Sequence, residues 1–227
     1  MTKQKILLIG ATGFAGNHVM QKLNNDFEVI TLSRKLPTKL SNNTKNIIFD
    51  FNNLDNQTEL PKSDHIILCI GTPLKLWELI YVKNKDMPAF VKVDKEYVIT
   101  FAQAAYNSGI KNISIISAIG ADSNSSNRYL RVKGEVEDAI VKIGFDNINI
   151  FRPSHICGRL KWEKQNSSNR LDMFIGEYAS LITKPLMFGP LRDFKGIDVE
   201  ILAQSIANNV NNKNTGIQYF TYDNFIK

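Results

Sequence analysis

The stretch Lys5-Ile6-Leu7-Leu8-Ile9-Gly10-Ala11-Thr12-Gly13-Phe14-Ala15-Gly16 limits the fold of this chain more than any other. An unbroken apolar run meets a glycine-rich turn, and an apolar periodicity follows at Phe14, Val19, Met20 and Leu23. Such a run suits a parallel strand buried on both faces, and the spacing after it suits a helix. Gly10 permits a sharp turn, Gly13 lets backbone N–H groups approach a pyrophosphate, and Gly16 lets the helix pack closely. A helix that starts here offers unpaired N–H groups and the positive end of its dipole to an anion. Gly10, Thr12, Gly13, Phe14, Ala15 and Gly16 are therefore candidate contacts for a dinucleotide. The alternative is an ordinary strand–helix connection rich in glycine.

Further strands are expected at Phe27–Leu32, Ile47–Phe51, His65–Thr72, Asn112–Ser117 and Ile148–Pro153. Helices are expected at about 91–108, with Val93, Tyr97, Phe101 and Ala105 on one face and Gly109 as the cap, and at 128–143, ended by Gly144. The alternation specifies an α/β fold with a doubly wound parallel sheet. Beyond residue 153 the character changes. Residues 159–170 look loop-like, 171–183 and 197–209 look helical, and Gly216–Phe220 suits a last strand. This tail is too short for a second domain, so residues 1–227 are expected to form one domain, with 154–196 as a small substrate-covering lobe.

The second strand runs out at Ser33-Arg34-Lys35. A site that prefers NAD usually carries Asp or Glu roughly 20 residues beyond the glycine turn, on the ribose 2′-hydroxyl. A hydroxyl and two cations stand here instead. Arg34 can pair in a forked geometry with a 2′-phosphate, which favours NADP (NADPH) over NAD. The plainer reading of Arg34 is a surface cation. Asp50 and Phe51, at the end of the third strand, are candidates to lie beside the adenine; Asp50 also suits a turn.

Three residues carry candidate chemistry in the second half. Ser117 ends a strand at the edge where open α/β sheets bind ligands. Tyr129 and Lys133, four apart on a predicted helix, project from one face. A phenol with a pKa near ~10 is a poor acid–base group at neutral pH, and a neighbouring ammonium lowers that value. Ser117 would stabilise charge on a carbonyl oxygen, and Tyr129 would protonate it or deprotonate the alcohol in the reverse direction. A Tyr–Lys pair alone is common by chance; the serine and the glycine turn make the set specific. His18 and His65 read as structural, and His155 is a weaker candidate to face substrate.

Together, Gly10-x-x-Gly13-x-x-Gly16, Ser117, Tyr129-x-x-x-Lys133 and Phe151-Arg152-Pro153-Ser154 resemble the short-chain dehydrogenase/reductase superfamily. Ser117–Asp122, Tyr129–Glu137 and Val93-Asp94-Lys95-Glu96-Tyr97 resemble its atypical branch, related to the Tat-interacting-protein oxidoreductases and other epimerase-like NAD(P)-binding proteins. The resemblance covers nearly the whole chain. It implies a Rossmann fold and hydride transfer between NADP(H) and a carbonyl or alcohol. It also implies that Gly71 and Thr72 line the cofactor, that Arg152, Pro153 and Ser154 approach the nicotinamide, and that Lys133 holds its ribose. Asp94 stands where many relatives carry the asparagine of a proton relay. A non-catalytic NAD(P)H-binding regulator and a nucleotide-sugar epimerase-like enzyme are the alternatives.

Composition narrows the partners. Net charge is +6, with cations scattered apart from Arg34, Lys35 and Lys39, so a nucleic-acid partner is not expected. No apolar run approaches the ~20 residues of a membrane span, and residues 1–20 do not look like a signal peptide. Cys69 and Cys157 match no metal or redox spacing, so no metal site is expected and a reduced cytoplasmic protein is. The expected partner is a small-molecule substrate; a homodimer is compatible with the sequence.

Overall fold

The computed structural model describes residues 3–23, 27–37, 40, 43–74, 82–158, 193–211 and 215–225. Strand β1 (Lys5–Ile9) leads into helix α1 (Phe14–Leu23), and β2 (Glu28–Ser33) and β3 (Thr44–Ile48) follow. After β4 (His65–Leu68) comes a helical run: α2 (Met87–Val91), a π-helical segment (Lys92–Glu96) and α3 (Tyr97–Asn107). Then come β5 (Asn112–Ile116), α4 (Arg128–Ile143), β6 (Asn147–Phe151) and the short strands β7 (Ile156–Cys157) and β8 (Ile197–Asp198). Helix α5 (Val199–Val210), strand β9 (Gly216–Phe220) and helix α6 (Tyr222–Phe225) complete the described residues.

Among the described residues the sheet has seven strands in the order β3-β2-β1-β4-β5-β6-β9, and every neighbouring pair is parallel. This is the doubly wound Rossmann arrangement, and its order reverses between β1 and β4. A ligand crevice lies beyond the strand carboxyl ends at such a switch point. Side chains of a strand alternate between faces. Leu7 and Ile9 of β1 and Ile66 and Leu68 of β4 pack with Phe101 of α3 and with Val136 and Ile140 of α4. Ile6, Leu8 and Ile67 face the other way, onto Val19, Met20 and Leu23 of α1 and Leu202 and Ile206 of α5. Central strands covered on both faces explain why β1 and β4 are nearly uninterrupted apolar runs. No helix among the described residues is long and apolar enough to cross a membrane.

Helix α4 spans the expected residues. The Asn127 side chain caps its start by accepting from the Leu130 N–H, and Gly144 ends it at φ +94°. Two expectations are corrected. The third strand is Thr44–Ile48, not Ile47–Phe51: Asn46 Oδ1 lies 2.7 Å from both the Thr31 and Ser33 hydroxyls of β2, which fixes that register. Residues 51–53 instead form a 3₁₀ turn capped by Asp50. The helix expected from 91 begins at Met87, and its π turn inserts a residue that rotates the inner face. Phe90, Asp94, Val98 and Phe101 point inward, while Val93 and Tyr97 are only half-buried. Gly109 follows the cap residue Ser108 at φ +88°. Strands β7 and β8, which pair with one another, and helix α6 were not expected. The helix expected at 171–183 and most of the 154–196 lobe lie outside the described residues.

A polar row crosses the interior of the sheet. His65, fully buried at the start of β4, has Nε2 2.8 Å from the Ser114 hydroxyl, and Asn149 Nδ2 donates to the Asn209 carbonyl at 3.2 Å. Burial pushes the His65 imidazole down to about 3 from its usual 6.5. Between those values the unfolded chain binds a proton that the folded chain refuses. Stability is therefore fully present above about pH 6.5 and falls as pH drops through the window, by about 1.4 kcal/mol per unit. His65→Gln should flatten this acid limb, measured as urea unfolding free energy between about pH 4 and 7. Equal slopes for parent and variant would contradict the assignment.

Candidate active site

The glycine turn is built so that no side chain fits inside it. Gly10 has φ +94°, and a Cβ there would lie 2.5 Å from the Cys69 carbonyl oxygen. A Cβ on Gly16 would lie 2.1 Å from the Gly10 carbonyl oxygen, so Gly16 lets the helix start pack on the turn itself. The Gly10 carbonyl accepts from the Gly13 N–H at 2.9 Å, which closes the turn in front of α1. The first turn of α1 carries no acidic residue, and Thr12 is exposed beside it. An anion is favoured there by the opening N–H groups and the helix dipole.

Ser33 and Asp50 both make hydrogen bonds within the protein. The Ser33 hydroxyl lies 2.6 Å from the Lys35 carbonyl and 2.7 Å from Asn46 Oδ1, so it supports the β2–β3 edge. Asp50 is exposed and accepts from the Asn52 N–H and side-chain amide, both at 3.0 Å. Phe51 is buried and meets Tyr97 and Phe101 edge-on. Arg34 is exposed at the end of β2, its guanidinium 5.6 Å from the centre of the Phe51 ring. Stacking on the ring restrains the guanidinium and leaves its donors at the rim.

On the other side of the switch point, Gly71 and Thr72 lead away from β4. The Thr72 N–H donates to Asp94 Oδ2 at 2.7 Å. Asp94, 3% exposed, also accepts from the Lys133 ammonium through Oδ1 at 2.8 Å. Lys133 Nζ lies 5.9 Å from the centre of the Tyr129 ring, and Tyr129 packs on Phe90 of α2 with ring centres 5.9 Å apart. Lys133 and Tyr129 therefore share one face of α4, as their spacing requires.

Ser117 sits just past β5, its N–H donating to the Phe151 carbonyl at 2.7 Å. The loop after it is pressed against α4: a Cβ on Gly134 would lie 2.2 Å from the Ser123 nitrogen, and the Asp122 N–H reaches the Leu130 carbonyl at 3.2 Å. That packing holds Ser117 at the same sheet edge as Tyr129 and Lys133. Among the described residues, the buried Ser117 Oγ and Thr72 Oγ1 have no hydrogen-bond partner. A buried hydroxyl left unpaired costs about 1–3 kcal/mol, so both atoms are suited to a ligand's polar groups. With the glycine cradle, they make this edge fit a dinucleotide and a polar substrate.

The Arg152-Pro153-Ser154 turn serves the scaffold. The Arg152 guanidinium forms a forked pair with Glu137 of α4, one arm at 3.0 Å, and lies 4.3 Å from the centre of the Tyr219 ring. The Pro153 carbonyl accepts from the Ile119 N–H at 2.9 Å, and the Ser154 hydroxyl donates to the Lys195 carbonyl at 2.6 Å. The Arg152 side chain and the Ser154 hydroxyl are thus spent within the protein, and the turn braces the Ser117 loop. The ion pairs of Asp94 and Glu137, which join residues 39 and 15 positions apart, are not readable from local spacing.

The electrostatics revise one expectation. Burial pushes the Tyr129 phenol above its usual range; Lys133 pulls it down and Asp94 pushes it up again. Burial disfavours the Lys133 ammonium, but Asp94, Tyr129 and Glu137 together raise its pKa. Lys133 is a fixed cation already answered by a carboxylate, so Tyr129 is a neutral phenol at neutral pH. The expected acidification by Lys133 does not prevail.

A model of the NAD dependent epimerase/dehydratase family matches residues 6–199. The chain is 31% identical over 167 residues to Protein HTATIP2 of Rattus norvegicus, covering 70% of this chain and 66% of that protein, about two thirds of its length. It is 27% identical over 174 residues to Protein FMP52, mitochondrial, of Candida albicans, covering 75% of each. Among solved structures, MoeE5 in complex with UDP-glucose and NAD superposes with a TM-score of 0.67 at 16% identity, covering 96% of this chain and 76% of that one. The UDP-N-acetylglucosamine 4-epimerase of Methanobrevibacter ruminantium M1 gives 0.67 at 15%, covering 97% and 77%. At these identities the two structures are evidence of a shared fold.

Proposed function

The chain belongs to the NAD dependent epimerase/dehydratase family, and from that membership we propose that it is an NADP(H)-dependent oxidoreductase that reduces a carbonyl of a small molecule. The observation that carries the reading is the Tyr129–Lys133–Asp94 chain, ending on the backbone of the Gly71–Thr72 loop. A folded scaffold does not need a buried lysine paired across 39 residues, whereas an acid–base phenol needs a fixed cation beside it.

Gly10, Thr12, Gly13, Phe14, Ala15 and Gly16 would hold the pyrophosphate, and Arg34 beside Phe51 the 2′-phosphate. Gly71 and Thr72 would lie along the middle of the dinucleotide, with Lys133 on the ribose and the backbone at Pro153 near its far end. A nicotinamide dinucleotide, when bound, supplies or accepts the hydride. The Ser117 hydroxyl donates a hydrogen bond to the substrate oxygen and stabilises the charge that develops there. Tyr129, neutral at working pH, gives that oxygen its proton. Lys133 stabilises the phenolate left behind until a solvent proton restores it. The protonated phenol is the form that the reductive direction requires.

Arg34 decides the cofactor. Arg34→Ala should weaken NADPH by about tenfold or more, the loss of a charge-assisted forked pair, and leave NADH little changed. Equal losses in a fluorescence titration would show that Arg34 does not read the 2′-phosphate. We place the protein in the cytoplasm; the name of the Candida albicans relative carries the word mitochondrial, and fractionation separates the two.

A further inference from the structure

Asp94 lies on the π-helical segment Lys92–Glu96, between two α-helical stretches. A π turn carries an extra residue at some cost in hydrogen-bond geometry, and such turns recur at functional sites. Here it aims a carboxylate inward where the neighbouring turns present Phe90 and Val98. Both carboxylate oxygens are used: Oδ1 by the Lys133 ammonium at 2.8 Å, Oδ2 by the Thr72 N–H at 2.7 Å. The chain at Gly71 passes so close that a Cβ there would lie 3.4 Å from Oδ1. A buried ion pair is commonly no more stable than apolar residues of the same volume, so stability alone does not account for this one.

We infer that Asp94 is a positioning residue that clamps the Gly71–Thr72 loop to Lys133, so that the dinucleotide-facing loop and the acid–base pair move as one unit. The inference rests on the dinucleotide reading given above. It goes beyond that reading by coupling the two ends of the site through a residue that touches neither cofactor nor substrate. An electrostatic consequence follows. Among the described residues, the charges acting on Tyr129 are Lys133 on its own helix and Asp94 on the π segment. Glu137 lies one turn beyond Lys133 and is answered by Arg152 of the β6 end. With Asp94 neutral, burial still raises the phenol, but among the described residues no charge opposes the pull of the Lys133 ammonium on it.

Asp94→Asn keeps the shape and removes the charge, and its amide can satisfy only one of the two donors. The probes are NADPH fluorescence for affinity and a difluorotyrosine at position 129, titrated by absorbance, for the phenol. The clamp predicts that Asp94→Asn weakens NADPH about tenfold and makes the phenol titrate at lower pH than in the otherwise identical parent. An unchanged affinity overturns the loop coupling, and an unchanged titration overturns the electrostatic link. Should Asp94→Asn not fold, Asp94→Glu decides. It keeps the charge but lengthens the reach, so it should hold the phenol near the parental titration and still weaken NADPH; parental affinity there overturns the clamp. If the parent binds neither NADPH nor NADH, the dinucleotide reading fails, and the phenol titration still tests the link between Asp94 and Tyr129.

Discussion

Tyr129→Phe should lower turnover of any accepted carbonyl by about 10²–10⁴-fold while leaving NADPH affinity within about twofold of the parent. The ring stays packed on Phe90, so only the hydroxyl is lost. The pH dependence is a second signature. Burial holds the phenol above its usual range, so Tyr129 remains a proton donor across the neutral and mildly alkaline range. The reductive rate should therefore stay level through the neutral and mildly alkaline range and fall only above the usual phenol range. Steady-state rates on a carbonyl panel check both. A Tyr129→Phe enzyme with parental kcat would remove Tyr129 from the chemistry.

Lys133→Met should destabilise the fold by about 3–5 kcal/mol, because it leaves the Asp94 carboxylate buried without its cation. Lys133 and Asp94 are 7% and 3% exposed, so solvent cannot take the place of the missing partner. Asp94→Leu alone should cost a similar amount by leaving the ammonium uncompensated. The double variant Asp94→Leu, Lys133→Met should recover most of that loss, since neither buried charge remains. Urea unfolding of the parent, both singles and the double completes the cycle. Additive losses would mean that the pair is not coupled. The double variant should still lack activity, which separates stability from function.

These residues also mark how far the sequence speaks. The β1–turn–α1 unit was legible because each requirement is local: apolar residues for a strand covered on both faces, then glycines where a Cβ would strike the Gly10 or Cys69 carbonyl. Ser117, Tyr129 and Lys133 were legible because spacing along a helix and the end of a strand are also local. Asp94 was visible only as a departure from a pattern. Its partners arrive from β4 and α4, and the π turn shifts the helical phase on which its inward direction depends. The contacts of the Arg152 side chain were not legible for a related reason, since Glu137 and Tyr219 belong to other elements. Asp50 was placed at a strand end because Ile47–Phe51 is apolar apart from that aspartate. The register was set instead by Asn46 bonding to hydroxyls on β2. Local chemistry specified the chain's direction and its edge of function; pairwise tertiary contacts distributed the charges.

The central claim is that the Gly10–Gly16 turn and the Arg34 side chain hold a phosphorylated nicotinamide dinucleotide beside Tyr129. Calorimetric titration of the full chain with NADPH and with NADH tests it most directly. Saturable binding at one site per chain, tighter for NADPH, is the predicted result; binding of neither nucleotide would contradict the account.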